Sequence, residues 1–149
     1  MRSPVQIRAP RFIADPRNYE LRPVGLVESP LTDRADAPKQ GDEGSPEAWI
    51  AFAPEFAEAA KDLNAGDEVL LLTWLDLGDR GALAVHPRSD PSRPLTGVFS
   101  TRSPDRPNPI GLHRVSVLEV DGGRARVSGL EAVDGTPVLD VKPVLGEER

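Results

Sequence analysis

The sequence predicts a mainly β domain, a small barrel or strongly curved sheet with one short helix and long loops. Three observations predict it. Apolar runs are short and rich in β-branched or aromatic residues, only the stretch after Pro54 has helical spacing, and Gly, Pro and Asp turn chemistry separates the runs. Strands regularly alternating with helices, the pattern of a doubly wound α/β domain, are missing.

Residues 1–20 show neither helical nor strand periodicity and carry arginine and proline throughout, which predicts a loose tail. Reverse translation of Pro4-Val5-Gln6-Ile7-Arg8 can give a run close to the T-arm of a tRNA gene, so a non-native extension is the expectation there. Met1 is the only methionine, and a later start would need a non-ATG codon. The body, 21–145, begins with the apolar run Val24 to Val27, then a proline- and charge-rich loop from Ser29 to Pro46. Trp49 to Phe52 is a second run. Pro54 can occupy the first turn of a helix whose Phe56, Ala59, Ala60 and Leu63 share a face, with Asn64 and Gly66 as the stop.

Val69 to Leu77 is nearly continuously apolar, as in a strand buried on both faces, and ends at the charged turn Gly78-Asp79-Arg80. Gly97 to Thr101 is a further strand candidate. Val115 to Val120 and Ala125 to Val127 flank Asp121-Gly122-Gly123, which reads as a hairpin. Thr136 to Val144 alternates apolar and polar residues before a charged tail, 146–149.

At 149 residues, 38% hydrophobic and 28% charged, the composition is that of one soluble globular domain. No apolar run approaches the ~20 residues that cross a bilayer, and no signal-like segment opens the chain. The cytoplasm is the expected location. Zero cysteines exclude disulfides, thiol nucleophiles and zinc ribbons, leaving His86 and His113 as the only nitrogen ligands, so a catalytic metal is not expected. A net charge of −6 opposes non-specific nucleic-acid binding. Against that, Arg80, Arg88, Arg93, Arg102, Arg106 and Arg114 face only Asp90 and Asp105 in the same stretch, a local basic patch.

The densest punctuation is Gly97-Val98-Phe99-Ser100-Thr101-Arg102-Ser103-Pro104-Asp105-Arg106-Pro107-Asn108-Pro109-Ile110-Gly111. Its three prolines fix φ and push the preceding residues into extended conformations, presenting Arg102, Arg106 and Asn108 on a stiff backbone. Arginine clamps carboxylate or phosphate bidentately, and asparagine offers both donor and acceptor. A rigid surface loop with solvated arginines is the plain alternative.

With Leu112 added, this run closely resembles the signature of the TsaA-like (YaeB/TrmO) family of S-adenosylmethionine-dependent tRNA threonylcarbamoyladenosine methyltransferases. Further segments resemble that family in order: Pro23 to Pro30 its opening strand, Pro38-Lys39-Gln40 its cofactor loop, Phe52 to Phe56 its helix start, and Gly129 to Pro143 its closing motif. The resemblance covers about residues 21–145, and such ordered agreement is far more specific than one motif. It implies a small TsaA-like β-barrel, a homodimer, S-adenosyl-L-methionine as cofactor and tRNA as partner. The family holds the methyl donor without the glycine-rich Rossmann loop of common methyltransferases, which fits the absence of such a loop after a strand here.

By the same resemblance, Pro38, Lys39, Gln40, Asp76, Arg102, Leu130, Glu131, Ala132, Val133 and Asp134 surround the cofactor. Arg102 and Lys39 would meet its carboxylate, Glu131 or Asp134 would accept from its ribose or amine, and Asn108 and Arg106 would orient the methyl acceptor as the catalytic pair. Taken without it, Asp134-Gly135-Thr136-Pro137 is turn chemistry, Asp140 and Lys142 are a solvated face or a cross-strand ion pair, Trp74 is core, Trp49 is undecided, and the two histidines are structural. Departures bear on the substrate: Lys39 stands where arginine is usual, Asp76 where histidine is common, Glu131 for aspartate, Asp105 for an aromatic and Val144 for tyrosine. Asp76 and Asp105 add negative charge where a tRNA would approach. A small-molecule methyl acceptor and a non-catalytic cofactor-binding barrel are therefore the alternatives.

Overall fold

The computed structural model describes residues 18–33 and 45–146, and shows a closed barrel of six antiparallel strands. In chain order the strands are β1 (Gly25–Glu28), β2 (Ala48–Phe52), β3 (Glu68–Trp74), β4 (Ala84–Val85), β5 (Thr96–Gly97), β6 (Ile110–Asp121), β7 (Arg124–Ser128) and β8 (Pro137–Pro143). Around the barrel the order is β1-β2-β7-β6-β3-β8, closing from β8 to β1, while β4 and β5 pair separately. The expected barrel is observed. Pro38, Lys39, Gln40 and most of the two expected tails lie outside the described residues.

Alternation builds the core. Val27, Ile50, Val69, Leu71, Val115, Val117, Val127 and Val138 point inward and are almost wholly buried, with Leu130 and Ala132 packed among them. Two register shifts, at Leu72/Thr73 against β8 and Val117/Glu119 against β7, bend the strands toward closure. Gly25 is needed where β1 meets β2, since a Cβ there would sit 2.6 Å from the Ala51 carbonyl oxygen.

Five expectations change in detail. β3 stops at Trp74 and is not buried on both faces: Val69, Leu71 and Thr73 are buried, whereas Leu70, Leu72 and Trp74 are half-buried on the outside. Leu75 leaves the ladder because its N–H donates to Pro109 O at 2.7 Å. Trp74 is accordingly not core, and the Arg80 guanidinium lies 5.1 Å from its ring centroid. Gly97 to Thr101 is not one strand, because Val98–Ser100 curls into a 3₁₀ turn whose Val98 carbonyl accepts from Thr101 N, Thr101 Oγ1 and Arg106 Nη2. The helix starting at Pro54 is a 3₁₀ segment, Pro54–Ala60, with no buried residue. Asp140 and Lys142 pair along one strand at 3.0 Å, not across strands.

Candidate functional site

Between β3 and β6 the chain makes a long excursion, 75–109, which carries β4 and β5 and returns through the proline-rich loop. This excursion, the start of β6 and the segment 128–133 together line a cleft of about 1560 Å³. Its shape is set by how the two ends of the excursion are clasped. Asp79 N–H donates to Asp105 Oδ1 (2.9 Å), and Gly78 lies so close to Pro104 that a side chain there would strike its carbonyl. Arg80 Nε donates to Pro107 O (2.7 Å), and its Nη2 to Asn108 Oδ1 (3.2 Å).

The loop is also braced from within. Arg106 donates to the carbonyls of Thr101 (3.0 Å), Ser103 (2.9 Å) and Val98 (2.8 Å), so its guanidinium is committed to its own loop. The geometry therefore gives Arg106 a bracing role within the loop, and it also lines the cleft. Arg102 differs. It is exposed, lines the cleft, and has neither hydrogen bond nor ion pair among the described residues. Asn108 is exposed on the same cleft, and its amide NH2 has no partner among the described residues.

On the β6 wall lies a buried chain of polar groups that no sequence pattern announced. His113, 5% exposed, holds Glu131 Oε1 at 2.6 Å through Nδ1 and meets Thr73 Oγ1 at 2.7 Å through Nε2. A carboxylate only accepts, so Nδ1 carries the hydrogen of that bond, while the Thr73 hydroxyl, both donor and acceptor, can pair with Nε2 in either direction. Glu131 Oε2 is buried with no hydrogen-bond partner among the described residues. Gly111 makes the chain possible, because a Cβ there would lie against Thr73 Oγ1 and 2.7 Å from His113 Nε2. A glycine inside an apolar strand is the one signal that could have disclosed it.

Other expected residues sit elsewhere. Ala132 and Val133 line the cleft beside Glu131. Leu130 is wholly buried in the barrel core, and Asp76 is exposed near the start of the excursion, outside the cleft lining. Asp134 also lies off the cleft: its Oδ1 accepts from Ser29 N (2.9 Å) and its N–H donates to Leu31 O (2.6 Å), while Gly135 takes φ +82°. That is the turn chemistry read without the resemblance. His86 Nδ1 is tied to Arg93 O at 2.8 Å, a structural contact. The basic patch is mostly spoken for as well, with Arg93 on Asp90 and Arg114 on Glu68.

Residues 26–147 match the tRNA-methyltransferase O N-terminal domain. The chain is 48% identical over 123 residues to the "Probable S-adenosyl-L-methionine-binding protein" of Methanothermobacter thermautotrophicus, covering 83% of this chain and 88% of that one. It is 41% identical over 122 residues to the S-adenosyl-L-methionine-binding protein of Archaeoglobus fulgidus, covering 82% and 86%. Among solved structures, a TrmO crystal structure superposes with TM-score 0.68 at 30% identity, and TrmO from Pseudomonas aeruginosa with 0.66 at 29%. Each covers 87% of this chain, which spans 56% and 57% of those two chains.

Proposed function

Because the chain belongs to the tRNA-methyltransferase O N-terminal domain family, we propose that it is an S-adenosylmethionine-dependent methyltransferase whose acceptor is the exocyclic nitrogen of threonylcarbamoyladenosine in tRNA. The cofactor, when bound, supplies an already activated methyl group on a sulfonium. The chain's own task is then to hold two reactants in line, which can recover ~7–11 kcal/mol of barrier without a nucleophilic side chain.

One observation carries this reading. Of the six arginines from Arg80 to Arg114, Arg102 is the one to which the described residues offer no hydrogen bond or ion pair, and it stands on the cleft. An unengaged guanidinium on a braced loop suits the cofactor's carboxylate. Glu131 Oε2, without a partner among the described residues, suits a donor on the cofactor's amine or ribose. Pro38, Lys39 and Gln40 complete the cofactor site in this proposal. The protein works as a homodimer, which the exposed Leu83, Leu95 and Phe99 on the excursion favour.

Calorimetry with S-adenosylhomocysteine tests the cofactor site. Arg102→Ala should weaken binding roughly thirty- to a hundredfold, Arg102→Lys should recover part of it, and Arg124→Ala, on the outer barrel face, should change it less than about threefold. No heat with the wild-type protein at millimolar ligand overturns the reading, and a folded Arg102→Ala that binds normally reassigns the loop. Nucleoside mass spectrometry of tRNA from a deletion strain tests the acceptor. A small-molecule acceptor is the second reading, favoured by the net charge of −6 and by the neutralised Arg93 and Arg114. Turnover without nucleic acid would establish it.

A further inference from the structure

We infer that Asn108 recognises a hydrogen-bond-accepting atom of the methyl acceptor, a carbonyl oxygen or an unprotonated ring nitrogen, and that Arg80 is the positioning residue that sets it to do so. The inference rests on the transferase reading and adds the polarity of the contact. A guanidinium has donors only, so the Asn108 amide atom facing Arg80 Nη2 at 3.2 Å is the oxygen. The NH2 group is thereby turned away from Arg80. Asn108 is exposed where the large cleft meets an adjoining cavity of about 680 Å³, and that NH2 has no partner among the described residues.

Both ends of this arrangement are stiff. Pro107 and Pro109 flank Asn108 and restrict its backbone. Arg80 is held against Trp74 and by the Pro107 carbonyl at 2.7 Å. Flipping the amide would oppose two donors and lose the Arg80 bond. The Asn108 NH2 is thus fixed toward the cleft, and it can pair only with a lone pair.

The test uses the full chain, S-adenosylmethionine and tRNA bearing threonylcarbamoyladenosine. Asn108→Asp is isosteric and keeps an oxygen toward Arg80 but removes the donor. It should raise KM for tRNA or lower kcat/KM by about thirtyfold, with cofactor affinity within about threefold and Tm not reduced. Arg80→Met, which frees the amide to flip, should show a defect of the same kind, Arg80→Lys a smaller one, and the double variant should be no worse than Asn108→Asp alone. Wild-type kcat/KM in Asn108→Asp, additive effects in the double variant, or a cofactor affinity weakened tenfold overturns the inference. If Arg80→Met does not fold, Asn108→Asp decides alone. A wild-type protein that binds cofactor but methylates no tRNA overturns the acceptor reading and this inference together. Wild-type turnover with unaffected variants overturns the inference only.

Discussion

Gly111 shows how much chemistry one missing side chain can carry. It lies in β6 facing inward, and the space a Cβ would take is filled by Thr73 Oγ1 and His113 Nε2. Replacing it crowds the one place where a fully buried threonine and a 5%-exposed histidine must hydrogen-bond to remain satisfied. Gly111→Ala should therefore destabilise the protein by about 1–3 kcal/mol through overpacking, more than its small volume suggests. Urea unfolding checks this, and a midpoint equal to wild type would mean that the Thr73–His113 contact does not hold in solution. Arg102, Asn108 and Arg106 make the same point at this scale. Their proximity was legible in the proline-rich loop, whereas the partners that separate their roles were not.

At the scale of elements, the excursion 75–109 is held by side-chain and backbone contacts more than by ladders, for β4 and β5 share only two residue pairs. Its turn at Asp90 illustrates this. The Asp90 carboxylate accepts from Ser92 Oγ (2.6 Å) and Ser92 N (2.9 Å), and these bonds hold its carboxyl below the ordinary aspartate value, with smaller help from Arg93 and His86. A depressed native value means that the turn gains stability above the unfolded aspartate value, about 3.9, and loses it as pH falls through the lowered native one. NMR titration should find Asp90 below the usual range, and Ser92→Ala should return it most of the way. An unmoved titration in Ser92→Ala would remove the hydroxyl as the cause. The elements that sequence misjudged, β3 beyond Trp74 and the strand at Gly97, both lie at the roots of this excursion. There, bonds from Leu75 to Pro109 and from Arg106 to Val98 override the local strand pattern.

For the whole molecule, the proposed dimer is the property that monomer stability cannot reveal. Phe99 is 87% exposed, so Phe99→Asp should leave the unfolding free energy within about 0.5 kcal/mol of wild type. If the excursion is the contact between copies, the same change should shift the sedimentation coefficient from dimer to monomer. A variant that stays dimeric moves the contact elsewhere, and a monomeric wild type ends the proposal. Overall charge sets a second constraint. With a net charge of −6 and Arg93 and Arg114 already paired with acids, recognition of tRNA would depend on few cations.

The sequence by itself determined the fold class, the strand-forming runs, the loop that carries Arg102 and Asn108, and the resemblance to the family. Each depends on residues close together in the chain, through alternation, fixed proline φ and turn glycines. Only the tertiary structure decided which polar groups are already satisfied. Asp134 is matched to Ser29 across 105 residues, Thr73 to His113 across 40, and Arg80 to Asn108 across 28. Such pairings leave no periodic trace, because barrel closure brings them together at no fixed spacing. Asp134 thus braces a turn and His113 links Thr73 to Glu131, while Arg102 has no partner among the described residues.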